Sequence, residues 1–526
     1  MPKPKSLLRD FKPKKKAAKQ AAPVTADDFL AGEDRPGPRL FSHPEHTGQK
    51  RLGRPGVELE EAGEKWRAGD ATKSMRFFMR AIANYDEGLQ KHPAAFDLAY
   101  NKARVQYEIT QHPKLAAQLP APQIEILQIA LQSHRDALVL EQDNADALFN
   151  SGQVLTSLAE AIADSKHPSE GAIMQASTYL EEAVELFQRC LILQEMKYTE
   201  MQEQMEQMES TEAQAPEQQA PPPPQPQPSA PDEAEPSDES QEHWAAIVEP
   251  VTKNTLVDTA VAQLDTLTAL CNLLTSNPNA GGLGWVQEYS SGLVETRLPA
   301  YVEGSDRQYE AALSKAKLVC AIHEVLYRGG HTDVQTYQEE VGQAFGSELD
   351  VSADPEGLCN KAEALVSLNA AFAEVPPHED PETLQISISV RWQSLSAALD
   401  ALTAASKLPN AENLPKIHLA RGDVEMQRWR LGREPWNHSM AKQNGATLLR
   451  NAQTYYRGAA ALARRDGAVI EERDGSCKEA IAAAVEGQNT KLQELKSRSF
   501  EQVIAVATEM VEDGMIEATE MGALIS

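Results

Sequence analysis

Apolar positions in the first half of the chain recur with a helical period. In the segment IALQSHRDALVL, Ala130 and Ala137 lie seven residues apart and therefore share one face of a predicted helix. A polar break at residues 142–144 separates this segment from a second amphipathic segment, ALFNSGQVLTSL, in which Gly152 lies where a neighbouring helix would approach. Small residues at such positions allow two helices to pack at a short axial distance. The pattern predicts a helix, a tight turn and a second helix.

The same pattern occurs elsewhere in the chain, in two versions. One version has an asparagine two residues before a small residue, at Asn101 and Ala103, Asn150 and Gly152, and Asn360 and Ala362; a related segment has Ala420 and Gly422. The other has a small, an aromatic and a small residue at spacings of four and three, at Ser74, Phe78 and Ala81, at Ala183, Phe187 and Cys190, and at Ala452, Tyr456 and Ala459. Together the two versions resemble the tetratricopeptide repeat (TPR) family, a stack of helical pairs of about 34 residues each. A generic antiparallel helix bundle is the alternative interpretation.

The resemblance implies an all-α, TPR-like helical-repeat solenoid. Only 6% of the residues are aromatic, and convincing β-branched runs with period-two alternation are missing, which also favours an all-α fold. We predict a disordered basic tail at 1–54, repeats at 55–208, an acidic Pro/Gln-rich linker at 209–243, and further repeats with capping helices at 244–526. The linker contains PxxP sequences, which could instead be ligands for an SH3 or WW domain. The helix before the linker is predicted to continue through EMKYTEMQEQMEQMES, with a tail that is polar on every side and projects into solvent or caps the first stack.

In proteins of the TPR family, the first helices of the repeats line a concave surface that holds a peptide or a helix of a partner. The resemblance places these residues on that surface: Asp97, Tyr100, Arg104, Tyr107, Asp146, Phe149, Gln153, Glu356, Cys359, Glu363, Leu419 and Asp423. Asn101, Asn150 and Asn360 are expected either to bind a ligand or to hold backbone between helices. The carboxylates suit a client rich in Lys and Arg. Acids in a first helical turn also complement the helix macrodipole, which is an ordinary structural role for Asp97, Asp146 and Glu356.

The charge of the chain changes this picture, because it is strongly negative and unevenly distributed. The formal net charge is −28, and residues 1–20 carry eight Lys or Arg against one Asp, so the remainder carries about −35. Such an acidic body argues against direct nucleic-acid binding and favours a basic protein partner, although it could serve solubility alone. The basic cluster with Lys12, Lys14, Lys15, Lys16 and Lys19 resembles a nuclear-import signal, or it is a plain solvated tail.

Other classes of function find little support in the sequence. The five cysteines are far apart and show no CxxC spacing, so we predict buried thiols in a reducing compartment rather than disulfides or a zinc site. We expect no membrane span, no cofactor, no metal and no enzymatic activity, because no catalytic signature is present and NAGGLGW is expected to be a turn. Heat-shock chaperone tails are acidic, and Asp146 and Asn150 occupy the places where Lys and Arg of a clamp for such tails would stand. We therefore do not expect these tails as partners.

These observations predict a non-enzymatic binding protein in the cytoplasm and nucleus. Its architecture, its acidity and the segment EPVTKNTLVDTAVAQLDTLTALC are similar to fungal TPR chaperones that escort a large-subunit ribosomal protein. The resemblance implies an assembly chaperone for a basic client such as a ribosomal protein. A scaffold that brackets several proteins in a larger complex is the alternative, and an RNA-associated repeat protein would require a basic groove.

Overall fold

A computed structural model describes residues 48–165, 168–212, 250–279, 281–346, 348–377 and 381–525, with side chains omitted at 48–55 and 209–212. Within these ranges every regular element is a helix, and successive helices pack against each other along the chain. The prediction of an all-α helical-repeat solenoid is confirmed. The predicted import signal from Lys12 to Lys19 lies outside the described residues, as does almost all of the predicted linker.

The helices follow each other with short connections. In chain order they are α1 (Gly48–Arg67), α2 (Ala71–Lys91), α3 (Phe96–Gln111), α4 (Pro113–Ala116), α5 (Gln123–Leu140), α6 (Ala145–Ala163), α7 (Glu170–Glu212), α8 (Lys253–Leu274), α9 (Leu283–Gly292), a π-helical turn (Leu293–Arg297), α10 (Leu298–Val302), α11 (Gln308–Arg328), α12 (Val334–Ala344), α13 (Pro355–Glu374), α14 (Pro381–Ala405), α15 (Leu414–Leu431), α16 (Ser439–Gln443), α17 (Gly445–Asp466), α18 (Val469–Val485), α19 (Thr490–Glu512) and α20 (Ala518–Ile525). The main packing pairs are α1 with α2, α3 with α5, α6 with α7, α13 with α14, and α15 with α17.

A small residue on the first helix faces an aromatic ring on the second helix in several of these pairs. A Cβ atom built on Gly152 would lie 2.7 Å from the ring of Phe187, and one built on Gly422 would lie 2.4 Å from the ring of Tyr456. Both rings are at most 1% exposed. The predicted close approach at Gly152 is therefore correct, and the predicted small–aromatic–small stripes lie in the core.

Polar side chains cap the starts of several helices, and one of these caps lies in the predicted polar break at residues 142–144. The Asp70 carboxylate accepts a hydrogen bond from the backbone N–H of Lys73 at 2.9 Å and caps α2, and Asn144 caps α6 through Ala147 in the same way. The predicted NAGGLGW turn has positive φ angles of 89° and 94° at Gly281 and Gly282, a region that favours glycine. All five cysteines are free and buried, as predicted.

Helix α1 begins at Gly48, before the predicted end of the disordered tail at residue 54. The helix includes Pro55 and Gly56, and the backbone at Gly56 lies so close to Tyr85 that a Cβ atom there would be 2.4 Å from the ring. Only a glycine can occupy this position without a shift of the ring.

The repeats before and after the Pro/Gln-rich segment share one hydrophobic core. Phe187 and Leu191 of α7 belong to the same buried cluster as Leu256 and Val257 of α8. The hydroxyl of Thr259 also donates a hydrogen bond to the side-chain oxygen of Gln194 at 2.8 Å. Residues 213–249 therefore connect two helices that are neighbours in the stack.

The extension of α7 differs from its prediction. The helix does continue, to Glu212, but its tail is not polar on every side. Met201, Met205 and Met208 follow one face, and Met205 and Met208 are 52% and 67% exposed.

Candidate partner-binding face

The first helices of successive pairs contact each other and form a continuous surface of the stack. In order, α3, α6, α8, α11 and α13 each contact the next one. We call the surface formed by these five helices the first-helix face. Polar side chains bridge it, with partners typically 45 to 52 residues apart in sequence.

On α3 and α6, the predicted residues hold the two helices together. The side-chain amide of Asn150 donates a hydrogen bond to the Tyr100 hydroxyl at 2.6 Å, and the Tyr107 hydroxyl lies 2.9 Å from the hydroxyl of Ser157. Burial and the nearby carboxylate of Asp146 raise the pKa of Tyr100, so its hydroxyl stays protonated. Tyr100 and Asn150 thus use their polar atoms within the stack.

The other predicted residues of this region are either structural or at helix starts. Phe149 packs edge-on against Phe187 with ring centroids 5.5 Å apart, and so belongs to the core side of α6. Asp97 and Asp146 are exposed in the first turns of α3 and α6, where a carboxylate complements the helix dipole. Asn101 is half-buried beside Tyr100. Of the predicted residues here, Asp97 and Asp146 present a negative charge to solvent, and Arg104, whose side chain is 36% exposed, pairs with Glu60.

On α8, α11 and α13, acidic side chains come together around one lysine. The Lys317 ammonium lies 2.8 Å from the carboxylate of Asp265, and Arg307 pairs with both Asp258 and Glu310 at 2.6 Å. The carboxylates of Glu356 and Glu363 also act on Lys317 electrostatically. We call this group the acidic cluster; its members are Asp258, Asp265, Glu310, Glu356, Glu363, Arg307 and Lys317.

The acidic cluster has more negative than positive charge, and two of its carboxylates are not neutralised by contact. Five acids face two bases, and the side chains of Glu356 and Glu363 make no hydrogen bond or ion pair with the residues that the structure describes. Glu363 lies mid-helix, so the dipole argument does not apply to it. Asn360, between these two glutamates, has a buried side-chain nitrogen without a hydrogen-bond partner in the described part of the chain.

The pKa values of the cluster reflect its burial and this crowding. Burial, together with the carboxylates of Asp354, Asp265 and Glu310, raises the pKa of Glu356 to about 7, against the opposing effect of Lys317. Burial alone would lower the pKa of Lys317, but the carboxylates around it raise it. A second cation placed beside Glu356 would relieve the repulsion between these carboxylates.

Asp423, the last of the predicted residues, does not belong to this face. It is 7% exposed, and its two carboxylate oxygens lie 2.8 and 2.9 Å from the ammonium of Lys478 on α18. It also accepts a hydrogen bond from the Tyr456 hydroxyl at 2.7 Å. This position makes Asp423 part of a buried ion pair rather than a contact for a partner. Its neighbour in the predicted groove, Leu419, is likewise fully buried, and so is Cys359 of α13.

Sequence reasoning missed the residues of α8 and α11, because neither helix carries the repeat pattern. A signal was nevertheless present. Asp258 and Asp265, Glu310 and Lys317, and Glu356 and Glu363 are each seven residues apart, which places each pair on one face of its helix.

The described residues contain no group of three or more His, Cys, Asp or Glu side chains arranged to hold a metal ion. Among the helices of the described ranges, none combines the length and the apolar character that a membrane span requires.

Comparison with known proteins gives little further information. No protein-family model matches the chain. A stretch of 108 residues is 34% identical to a UPF0656 protein of Schizosaccharomyces pombe, which covers 20% of this chain and 23% of that protein, so the match spans about a quarter of the relative's own length. A solved circular tandem repeat protein with novel repeat topology and enhanced subunit contact surfaces aligns with 89% of this chain and 100% of its own, at 13% identity and a TM-score of 0.27. What this chain shares with the Schizosaccharomyces pombe protein is thus a short stretch of sequence.

Proposed function

We propose that this protein is a non-enzymatic binding protein that shields a basic protein client, in the manner of a TPR-type assembly chaperone. A ribosomal protein is the concrete kind of client that we propose. The observation that carries the proposal is the acidic cluster, in which Glu356 and Glu363 lie on one face of α13 without a hydrogen bond or an ion pair from any described residue.

The geometry favours Lys or Arg side chains of a client as ligands. Two acids near the start of the stack are each engaged by a base: Glu60 of α1 pairs with Arg104, and Glu108 of α3 lies 2.9 Å from Arg67. Around Lys317, by contrast, carboxylates outnumber cations, and the half-exposed surface allows a charged side chain to approach from solvent. Charge-assisted hydrogen bonds to a client guanidinium would be stronger there than between neutral groups. An acidic heat-shock chaperone tail would meet the same carboxylates with repulsion.

The negative net charge supports the proposal through the rate of association. A field of one sign attracts an oppositely charged client and increases the association rate, and salt screens this attraction. If the lysine cluster at residues 12–19 serves as an import signal, the protein would act in both cytoplasm and nucleus. Import is tested separately, by the location of a variant without these lysines.

The first test is affinity purification of the full chain at low and at high salt, followed by mass spectrometry. We expect one basic protein, in a one-to-one complex at low salt and released at high salt. The double variant Glu356→Gln/Glu363→Gln should weaken this complex roughly 10- to 30-fold at low salt, since each rim charge contributes up to about 1 kcal/mol.

A matched control removes two carboxylates outside the first-helix face. Glu181→Gln/Glu185→Gln on α7 changes the net charge by the same amount, and it should reduce the affinity much less. An equal loss in both variants would mean that only the overall charge matters. A salt-resistant set of neutral or acidic partners would contradict the chaperone proposal and favour the scaffold.

A further inference from the structure

One row of side chains on α7, which we call the seam, packs against the stack. This row continues along α7 beyond the point where the stack covers it. Its positions alternate at spacings of four and three, the pattern of a helix that packs lengthwise against other helices: Phe187, Leu191, Gln194, Tyr198, Met201, Met205 and Met208. Phe187 and Leu191 are at most 1% exposed, and Tyr198 is half-buried against the core. At Met205 and Met208, more than half of each side chain is exposed.

This uncovered seam is surrounded by negative charge. Glu200, Glu203 and Glu206 are exposed, and none of them forms an ion pair with a described residue. Lys197 is the single exposed cation among residues 195–208. An α-helix is about 10 Å wide, so these carboxylates lie within about a Debye length of a ligand on the methionine side.

We propose that Met201, Met205 and Met208 form a docking surface for a basic amphipathic helix of a partner. Methionine side chains are flexible and polarizable, and they adapt to apolar side chains of different shapes. An amphipathic helix would insert its apolar stripe along the four–three seam and direct its Lys and Arg residues toward the glutamates. The inference rests on the proposed function in one respect only, the basic character of the partner; the surface is separate from the acidic cluster.

The experiment uses the full chain and two fluorescein-labelled peptides. One peptide is a Leu/Lys sequence of about 18 residues with a four–three apolar repeat, and the other has Glu in place of every Lys. Binding is measured by fluorescence anisotropy at several salt concentrations. The variant is Met201→Gln/Met205→Gln/Met208→Gln, which keeps all charges. The control is Ile129→Gln/Val139→Gln/Met174→Gln, which removes three other apolar side chains that are 50%, 75% and 72% exposed.

We expect the wild-type protein to bind the Leu/Lys peptide and not the Leu/Glu peptide. The methionine variant should bind at least about tenfold more weakly, a difference of about 1.4 kcal/mol, and the control should bind like the wild type. Equal binding by the methionine variant would overturn the inference. It would also be overturned if the methionine variant converted a dimer into a monomer, or if the wild type bound the peptide only after removal of residues 213–249. These two results would show that a second copy or the chain itself covers the seam.

The two proposals fail separately. The methionine substitutions should weaken binding of the Leu/Lys peptide by the same factor in the wild-type chain and in the Glu356→Gln/Glu363→Gln chain, because the seam and the acidic cluster are separate surfaces. If the Glu356→Gln/Glu363→Gln variant loses the basic client while the methionine variant retains both client and peptide, the proposed function stands and the docking surface does not. If the methionine variant alone loses the peptide and no basic client is found, the reverse holds.

Discussion

Replacing Lys478 with methionine should destabilise the C-terminal repeats by about 3–5 kcal/mol, because the substitution leaves a buried carboxylate without its cation. Lys478 is 2% exposed and Asp423 is 7% exposed. The ammonium lies 2.8 and 2.9 Å from the two carboxylate oxygens. After the substitution, Asp423 would keep only the hydrogen bond from Tyr456, at 2.7 Å.

Hydrogen exchange followed by mass spectrometry measures this effect locally, which matters in a repeat protein that need not unfold as one unit. Peptides from α15 and α18 should lose protection, while peptides from α3 and α6 should keep it. The control is Arg464→Met, which removes a pair with Glu472 in which the side chains are 70% and 33% exposed. That surface pair should contribute at most about 1 kcal/mol.

A double variant tests whether the loss of stability comes from the carboxylate that is left without its cation. In Asp423→Asn/Lys478→Met neither member of the pair leaves its direct partner charged, so the loss of stability should be smaller than the sum of the two single losses. The reasoning is refuted if Lys478→Met costs no more than Arg464→Met. In that case the carboxylate would be solvated, and Asp423 would return to the set of residues that a client could contact.

Three further outcomes are expected. Gly422→Ala should reduce the stability of the fold by about 1–3 kcal/mol, because the added methyl group overpacks against Tyr456. The control, Gly342→Ala in α12, places its methyl group in open space and should be neutral or stabilising. Thermal unfolding compares the two variants, and equal effects would contradict the packing argument. Burial and nearby carboxylates raise the pKa of Asp513 to about 7, so folding loses stability as pH rises from about 4 through 7. Asp513→Asn should therefore be more stable than the wild type by about 1–3 kcal/mol at pH 8 and equal to it near pH 4. Urea unfolding at several pH values measures the difference, and a difference that does not depend on pH would contradict this prediction. Because the pKa of Glu356 is raised to about 7, the affinity for a basic client should increase as pH rises from 6 to 8, and a Glu356→Gln variant should lack this step in a binding titration.

The sequence predicted the packing of this fold well, because packing depends on local patterns. A glycine at position 152 and an aromatic residue at 187 indicate a close approach between two helices even when their exact pairing is unknown, and the structure shows that approach. Caps such as Asp70 are equally local, since the side chain bonds a backbone N–H three residues away. These features require knowledge of one or two turns of helix and no more.

Charged residues were harder to interpret, because their role depends on residues far away in the chain. Asp423 and Glu363 both follow a repeat pattern on a first helix, yet only Asp423 forms an ion pair with a lysine, which lies 55 residues later. The seam on α7 was missed for a different reason. Glu and Gln residues separate the methionines in the sequence at the end of α7. The segment is therefore polar on average, although one face of the helix is apolar.

The net charge of the chain is therefore a poor guide to where a basic client would bind. Carboxylates such as Glu60, Glu108 and Asp423 already face Arg or Lys from a neighbouring repeat, and they contribute little to the field outside. An attractive site arises where the stack supplies more carboxylates than cations. On the first-helix face this happens around Lys317, where burial and, after it, the repulsion from neighbouring carboxylates raise the pKa of Glu356. The same repulsion that makes this cluster unfavourable in the free protein would be relieved by a cationic client, so the cluster should bind such a client more strongly than an equal number of separated carboxylates on the outer helices.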